Sequence, residues 1–140
     1  FEMAEKIREV MTKDPVVLEA STNVTDAAKA MRDRQIGSVL VRKNGNLCGI
    51  VTDRDLVVRC LADDIDPHAE SLEKLCSTEL ATLEADASID EAVDLMRQRK
   101  IRRVPVVDGG APVGIVSLGD LAEERDPKSA LGQISSAPPA

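Results

Sequence analysis

Aromatic residues are almost absent from this chain. Of its 140 residues only Phe1 is aromatic, and there is no Tyr or Trp. Proteins that bind single-stranded nucleic acid usually stack bases on aromatic side chains, and no such platform can be built here. With 18 basic and 25 acidic residues, the chain carries a formal net charge of −7, which repels duplex phosphates. A nucleic-acid partner is therefore not expected.

Long apolar runs and clusters of metal ligands are also missing. The apolar stretches are only a few residues long, so the sequence predicts neither a membrane span nor a secretory signal. The cysteines Cys48, Cys60 and Cys76 show no C-x-x-C spacing, and the single histidine, His68, lies eight residues from the nearest of them. Structural zinc needs about four such ligands, so no metal site is expected. The expected location, without a span or a signal, is the cytoplasm, and an odd cysteine count in a cytosolic chain indicates free thiols.

The chain contains an internal repeat without gaps. When the sequence is shifted by 65 residues, 16 of the 51 aligned pairs between Ile7 and Val57 are identical. Such copies cannot bury their apolar faces alone. The repeat therefore predicts an α/β (α+β) fold in which two pseudo-symmetric copies pack through their small sheets.

Each copy is predicted to run helix-strand-helix-strand-strand-helix. In the first copy the predicted elements are 5–11, 16–18, 24–34, 38–41, 47–52 and 53–62. In the second copy the later elements are 81–83, 89–99, 104–107, 113–117 and a helix from 118. Ser21 or Thr22 is the predicted N-cap of the second helix. The apolar face of that helix is predicted from helical spacing and consists of Val24, Ala27, Ala28 and Met31.

Proline, glycine and polar residues mark the predicted boundaries. Pro105 within a strand predicts an edge strand, and Gly109-Gly110 predicts a hairpin turn. We expect an N-terminal extension over 1–6, of which Phe1-Glu2 is an artificial addition ahead of Met3. Repeat 1 is expected over 7–62, a linker over 63–71, repeat 2 over 72–125 and a flexible tail over 126–140.

The two copies resemble the CBS-domain family, named after cystathionine β-synthase. The resemblance rests on Gly49-Ile50-Val51-Thr52-Asp53-Arg54-Asp55-Leu56, Gly114-Ile115-Val116-Ser117-Leu118-Gly119-Asp120-Leu121, Val10-Met11-Thr12, Asp14-Pro15-Val16, Ile36-Gly37-Ser38-Val39 and Ile101-Arg102-Arg103-Val104-Pro105-Val106-Val107. It covers residues 7 to 125. It implies a stand-alone, Bateman-type pair with two related clefts between the repeats, which in many members bind adenosine-containing ligands, and it implies a homodimer.

The resemblance also implies a set of ligand-binding residues. The family's nucleotide signature, a hydroxyl residue followed three positions later by an acid, matches Thr52 with Asp55 and Ser117 with Asp120. A hydroxyl and helix-start amides can face a phosphate, and the acid can accept from a ribose diol. The same spacing is also that of a helix capping box, and this alternative stays open.

The remaining predicted site residues make the two clefts unlike. For adenine, the resemblance implies contacts with the backbone at Val16 and Ala81 and with the aliphatic side chains of Ile36 and Ile101. Arg54 is a phosphate candidate in the first copy, where Gly119 is its counterpart in the second. Arg102 and Arg103 bring charge to the second copy where Gly37 and Ser38 stand in the first. Asp53 and Leu118 complete the predicted set.

No catalytic motif is found in the sequence. His68 lies in the linker, and there is no P-loop, G-x-S-x-G or G-x-G-x-x-G. The predicted function is therefore a non-catalytic sensor that needs no cofactor and binds an adenine nucleotide or an NAD-like ligand for an unknown protein partner. The alternatives are a structural or oligomerising pair without a physiological nucleotide, and an enzyme acting on nucleotides.

Overall fold

A computed structural model describes residues 5–76, 80–125 and 130–137. Within those residues it has seven strands and five α-helices, so the mixed α/β class is confirmed. The strands are β1 (Thr12–Lys13), β2 (Val17–Glu19), β3 (Ser38–Lys43), β4 (Asn46–Thr52), β5 (Leu83–Glu84), β6 (Arg103–Asp108) and β7 (Ala111–Ser117). The helices are α1 (Val24–Arg34), α2 (Asp53–Leu56), α3 (Ile89–Arg99), α4 (Leu118–Arg125) and α5 (Ala130–Ser136).

The chain divides into two compact units. The first unit is Val16–Leu80, and the second unit is Phe1–Pro15 together with Ala81–Ala140. Most of the predicted N-terminal extension, including Phe1-Glu2, lies outside the described residues, as do positions 126–129 and 138–140 of the predicted tail.

The first unit is a three-stranded sheet covered by α1. Strands β2 and β3 are parallel, and β3 and β4 form an antiparallel hairpin. The hairpin turns at Asn44 and Gly45, whose φ values of 53° and 79° are both left-handed, as a type I′ turn requires. On α1 the predicted face is confirmed for Val24, Ala27 and Met31. Ala28 was expected in that face, but it lies at the margin of the stripe and is exposed.

Helix α1 begins with a different cap from the one predicted. Ser21 and Thr22 belong to a turn closed by the Thr22 N–H, which donates to the Glu19 carbonyl at 2.9 Å. Because of this turn, the helix starts later and Asn23 is its N-cap, with Oδ1 accepting from the Asp26 N–H at 2.8 Å. The prediction of Ser21 or Thr22 was wrong. In the second unit, Ser88 is the equivalent cap of α3.

Pro105 lies in an inner strand, so the predicted edge position was wrong. The sheet order of the second unit is β1-β7-β6-β5, which places β6 between two neighbours. Pairing with β5 starts only at Leu83 with Val106, after the proline. The counterpart of Pro105 is Leu40, whose N–H donates to the Val16 carbonyl at 2.9 Å. Proline has no N–H to donate, so the pairing of β5 with β6 is shorter than the pairing of β2 with β3.

The opening segments of the two repeats are exchanged between the units. The predicted helix 5–11 is only a 3₁₀ turn, Ile7–Glu9, followed by β1. In the second unit, the Ile7 N–H donates to the Ala87 carbonyl at 2.9 Å. In the first unit, the equivalent Leu72 N–H donates to the Thr22 carbonyl, also at 2.9 Å. Ile7 and Leu72 are fully buried in these two cores. Each unit is therefore completed by the start of the other repeat.

Part of the expected flexible tail is a helix. Residues Ala130–Ser136 form α5, which packs against α4. The approach is close at Gly119, because a Cβ placed there would clash with Ser135 Oγ. The glycine that replaces Arg54 in this repeat thus makes room for α5.

The close approach of the opening segment to β7 gives a stability prediction. A Cβ at Gly114 would lie 2.7 Å from the Thr12 carbonyl oxygen, and backbone cannot rotate away. We expect Gly114→Ala to lower the free energy of unfolding by about 1–3 kcal/mol, the usual cost of overpacking. Urea denaturation measures this. Ala111→Ser, at the exposed start of the same strand, is the matched control, and equal losses in both variants would contradict the explanation.

Candidate functional site

The Thr52-x-x-Asp55 motif of the first unit joins β4 to α2. The Asp55 Oδ2 atom accepts from the Thr52 N–H at 2.8 Å and from Thr52 Oγ1 at 3.0 Å. In return, the Asp55 N–H donates to Thr52 Oγ1 at 3.2 Å. The capping box that the spacing left open is therefore present. On the other carboxylate oxygen, Arg59 Nε lies 3.8 Å from Oδ1.

The Ser117-x-x-Asp120 motif of the second unit closes in the same way. Asp120 Oδ2 accepts from the Ser117 N–H at 2.9 Å, and the Asp120 N–H donates to Ser117 Oγ at 3.1 Å. The position equivalent to Arg59 holds Glu124. Burial raises the pKa of Asp120, while the hydrogen bonds from Ser117 oppose that rise. Both motifs thus hold their carboxylate in place, but among the residues that the structure describes only the carboxylate of Asp55 has a cation beside it.

In the first unit, the predicted residues lie together at one end of the sheet. The Asp53 N–H donates to the Gly37 carbonyl at 3.0 Å, which ties the start of α2 to the loop after α1. Val16 and Ile36 are half-buried and pack on the same core. Arg54 is exposed, and the Asp53 carboxylate accepts from its N–H at 2.8 Å.

The second unit repeats this arrangement with different side chains. The Leu118 N–H donates to the Arg102 carbonyl at 2.8 Å, as Asp53 does to Gly37. Arg103 is paired with Ser117 across β6 and β7, and its side chain is exposed. Ala81 precedes β5 at the point where the ladder is shortened by Pro105.

An open groove in the second unit connects α3 with the start of α4. Its volume is about 430 Å³. Five apolar and three cationic side chains line it: Val93, Met96, Ile101, Leu118 and Leu121, with Arg97, Lys100 and Arg102. Three of these eight, Ile101, Arg102 and Leu118, belong to the predicted site.

Arg97 and Lys100 line the groove but were not predicted from the sequence. Cations in the last turn of a helix are common because they interact with its dipole, so nothing in the sequence marked these two as ligand-binding candidates. Arg97 lies 3.8 Å from Asp94. Lys100 and Arg102 have no acidic side chain within ion-pair distance among residues 5–76, 80–125 and 130–137. The groove thus combines apolar walls with two uncompensated cations.

The family assignment agrees with this geometry. The model of the CBS domain matches residues 7–61 and again 72–126. The chain therefore belongs to the CBS-domain family and carries a tandem pair of these domains.

Two known proteins resemble the chain over most of its length. The uncharacterised protein YlbB of Bacillus subtilis is 38% identical over 136 residues, which is 93% of this chain and 91% of YlbB. Hypoxic response protein 1 of Mycobacterium tuberculosis is 32% identical over 128 residues, 91% of this chain and 89% of that protein.

Solved structures of CBS proteins share the fold. The crystal structure of Hypoxic Response Protein I with two coordinated zinc ions gives a TM-score of 0.76 at 32% identity, and the match covers 84% of this chain and 96% of that one. The hexameric CBS-CP12 protein from bloom-forming cyanobacteria gives 0.79 at 25% identity, covering 90% and 74%. In the described part of the present chain, no group of three or more His, Cys, Asp or Glu side chains could hold a metal ion. No helix in that part has the length and apolarity to cross a bilayer.

Asp120 provides a test of the charge in the second motif. Its folded-state pKa is raised, so in the pH window just above 3.8 the folded protein binds more protons than the unfolded chain, and stability rises as pH falls. Above that window, burial of the Asp120 charge lowers the stability of the folded protein by an amount that does not change with pH. Asp120→Asn keeps an acceptor for the Ser117 N–H without the charge. We expect this variant to be at least as stable as the parent at pH 7, with its advantage shrinking as pH falls through the window.

Chemical denaturation at a series of pH values measures this difference. Asp55→Asn is the matched control, because it removes the charge that faces Arg59 and should lower stability at pH 7. If Asp120→Asn is clearly the less stable protein at pH 7 and the difference does not change with pH, burial does not govern this carboxylate.

Proposed function

We propose that this protein is a non-catalytic regulatory module that binds an adenosine-containing ligand such as AMP, ADP, ATP or an NAD-like dinucleotide. The observation that carries the proposal is the groove of the second unit. It combines five apolar walls with three cations in a chain whose net charge is −7. A nucleotide has the same two parts, an apolar base and an anionic phosphate group.

The groove residues suggest how such a ligand would be held. Arg102 and Lys100 lack acidic partners among the described residues, so a phosphate would supply the missing charge without displacing an ion pair. Asp120 is not among the residues that line the groove, but it lies in the same first turns of α4 as Leu118 and Leu121. We propose that its carboxylate accepts from the ribose hydroxyls. The base would pack on the aliphatic side chains, since the described part of the chain has no aromatic one.

We expect the equivalent site of the first unit to bind more weakly. Gln35 and Gly37 stand there where the second unit has Lys100 and Arg102. Arg54 is its remaining phosphate candidate. The Val16 carbonyl is already bonded to the Leu40 N–H, whereas Pro105 leaves its counterpart, the Ala81 carbonyl, without that donor.

No cofactor is required in this proposal, and we place the protein in the cytoplasm, where its free thiols would stay reduced.

Calorimetric titration with AMP and ATP tests the site. Without Trp or Tyr the protein has no useful intrinsic fluorescence, so heat is the readout. Asp120→Ala removes hydrogen bonds worth roughly 1.5–3 kcal/mol each, so we expect affinity at the second-unit site to fall by about tenfold to a thousandfold. Asp55→Ala should do the same only at the first-unit site. Arg102→Ala should weaken ATP more than AMP.

Arg34→Ala, an exposed arginine on α1 outside the groove lining, is the matched control and should leave both affinities unchanged. A thermal scan of each variant shows whether it is folded. Unchanged affinity in a folded Asp55→Ala, Asp120→Ala double variant would sink the ribose assignment. Absence of binding heat with every adenine nucleotide would favour the second candidate function, an oligomerising pair.

The second candidate rests on exposed apolar side chains in the first unit. After α2 the helix continues as one π-helical stretch, Val57–Leu61. Within it Val57, Val58 and Leu61 are 54%, 45% and 68% exposed. Neighbouring exposed aliphatic residues are typical of protein interfaces. We propose a homodimer formed through the helices that flank the sheets, including this stretch and the α1 and α3 helices.

Light scattering at micromolar concentration tests the dimer. Leu61→Glu places a charge in the proposed interface while removing little core packing, so it should shift the mass from dimer to monomer. Asn46→Glu, an exposed position at the start of β4, is the control and should remain dimeric. A monomeric parent protein would refute this assembly.

A further inference from the structure

Two cysteines of the first unit face each other across a short gap. Cys48 lies in β4, and Cys76 lies in the opening segment of the second repeat, four residues after Leu72. Their Sγ atoms are 3.9 Å apart, both side chains are half-buried, and both are free thiols.

The close approach of the two cysteines is built into the fold. A Cβ at Gly49 would lie 2.9 Å from Cys76 Cβ, so the strand can meet the segment only because a glycine stands there. Leu72 and Leu75 of the segment are buried in the core. The Cys76 N–H donates to the Leu72 carbonyl at 3.0 Å, which ties Cys76 to the buried Leu72.

We propose that Cys48 and Cys76 form a reversible intramolecular disulfide when the protein meets a peroxide. A disulfide needs a sulfur separation of about 2.0 Å, so closure requires a movement of about 2 Å, within reach of side-chain rotation. Cys60 is a poor competitor, because it is buried and its Sγ donates to the Ile65 carbonyl at 3.4 Å.

The chemistry balances with hydrogen peroxide as the oxidant. The Cys48 thiolate attacks one peroxide oxygen, the O–O bond breaks, and the departing hydroxide takes up the proton that Cys48 released, so that Cys48 sulfenic acid and water form. The Cys76 sulfur then attacks the Cys48 sulfur, the S–O bond breaks, and a second water carries away the Cys76 proton. The thiols lose two electrons and the peroxide gains them. Burial and the neighbouring Cys48 raise the pKa of Cys76 to about 12, so Cys76 is written as the resolving thiol, and the products are the same if the two cysteines exchange roles. A dithiol reductant reverses the bond.

Peroxide treatment of the full chain tests the proposal. Peptide mapping by mass spectrometry without reductant should give a Cys48–Cys76 cross-linked peptide that has lost two hydrogen atoms. Alkylation after denaturation should label one of the three cysteines, and all three after reduction. Because the bond closes a loop in the unfolded chain, we expect the thermal midpoint to rise by about 5–15 °C.

Three variants make the result specific. Cys60→Ala should keep both the cross-link and the thermal shift, whereas Cys48→Ser and Cys76→Ser should each lose them. Peptide mapping of the unaltered protein tests for the Cys48–Cys76 disulfide even where a variant does not fold. Separate sulfinic acids at the two positions, disulfides between molecules, or three free thiols after treatment would overturn the proposal.

Discussion

The burial of Ile7 and Leu72 in exchanged positions is the constraint on which the rest of this structure depends. A three-stranded sheet with one long helix leaves part of its apolar surface open, and each opening segment closes that surface with a fully buried aliphatic side chain. Burying one such side chain contributes about 1.5–3 kcal/mol, a large share of what a unit of this size can gain. Because each segment belongs to the other repeat, neither repeat contains all of its own core.

A shared framework also explains why the two sites can differ so much. The two units have the same bulge in their hairpins, the same buried valines and the same closed hydroxyl–acid turn. The differences fall on side chains around that turn: Gly37 against Arg102, Arg54 against Gly119, Arg59 against Glu124. These replacements leave the backbone bond between helix start and loop unchanged. The charge and access of a site can therefore vary while the fold stays constant.

The sequence predicted most where the deciding interactions are local. The bounds of α1 and α3 agree with the prediction, because the apolar periodicity that indicates a helix, and the position at which it stops, are both present in the local sequence. The edge position of Pro105 and the N-cap of α1 were predicted wrongly, and helix α5 was not predicted, since these features depend on partner strands, a preceding turn and the space above Gly119. The exchange of opening segments was also missed. The Arg8–Asp86 contact at 2.8 Å joins residues 78 positions apart, and a repeat by itself does not say which copy an equivalent segment contacts.

The linker, like the opening segments, supplies interactions that a core element cannot supply for itself. The Val24 and Thr25 amides, which α1 cannot satisfy internally, donate to the Glu70 and Pro67 carbonyls at 3.0 and 3.1 Å. Residues predicted as a simple connection thus complete the N-terminus of a core helix. The same stretch leads directly into Leu72, so hydrogen bonds and apolar burial hold it at successive points. A displacement of this stretch must therefore alter both the N-terminus of α1 and the packing of Leu72 in the core, because both depend on the same few residues.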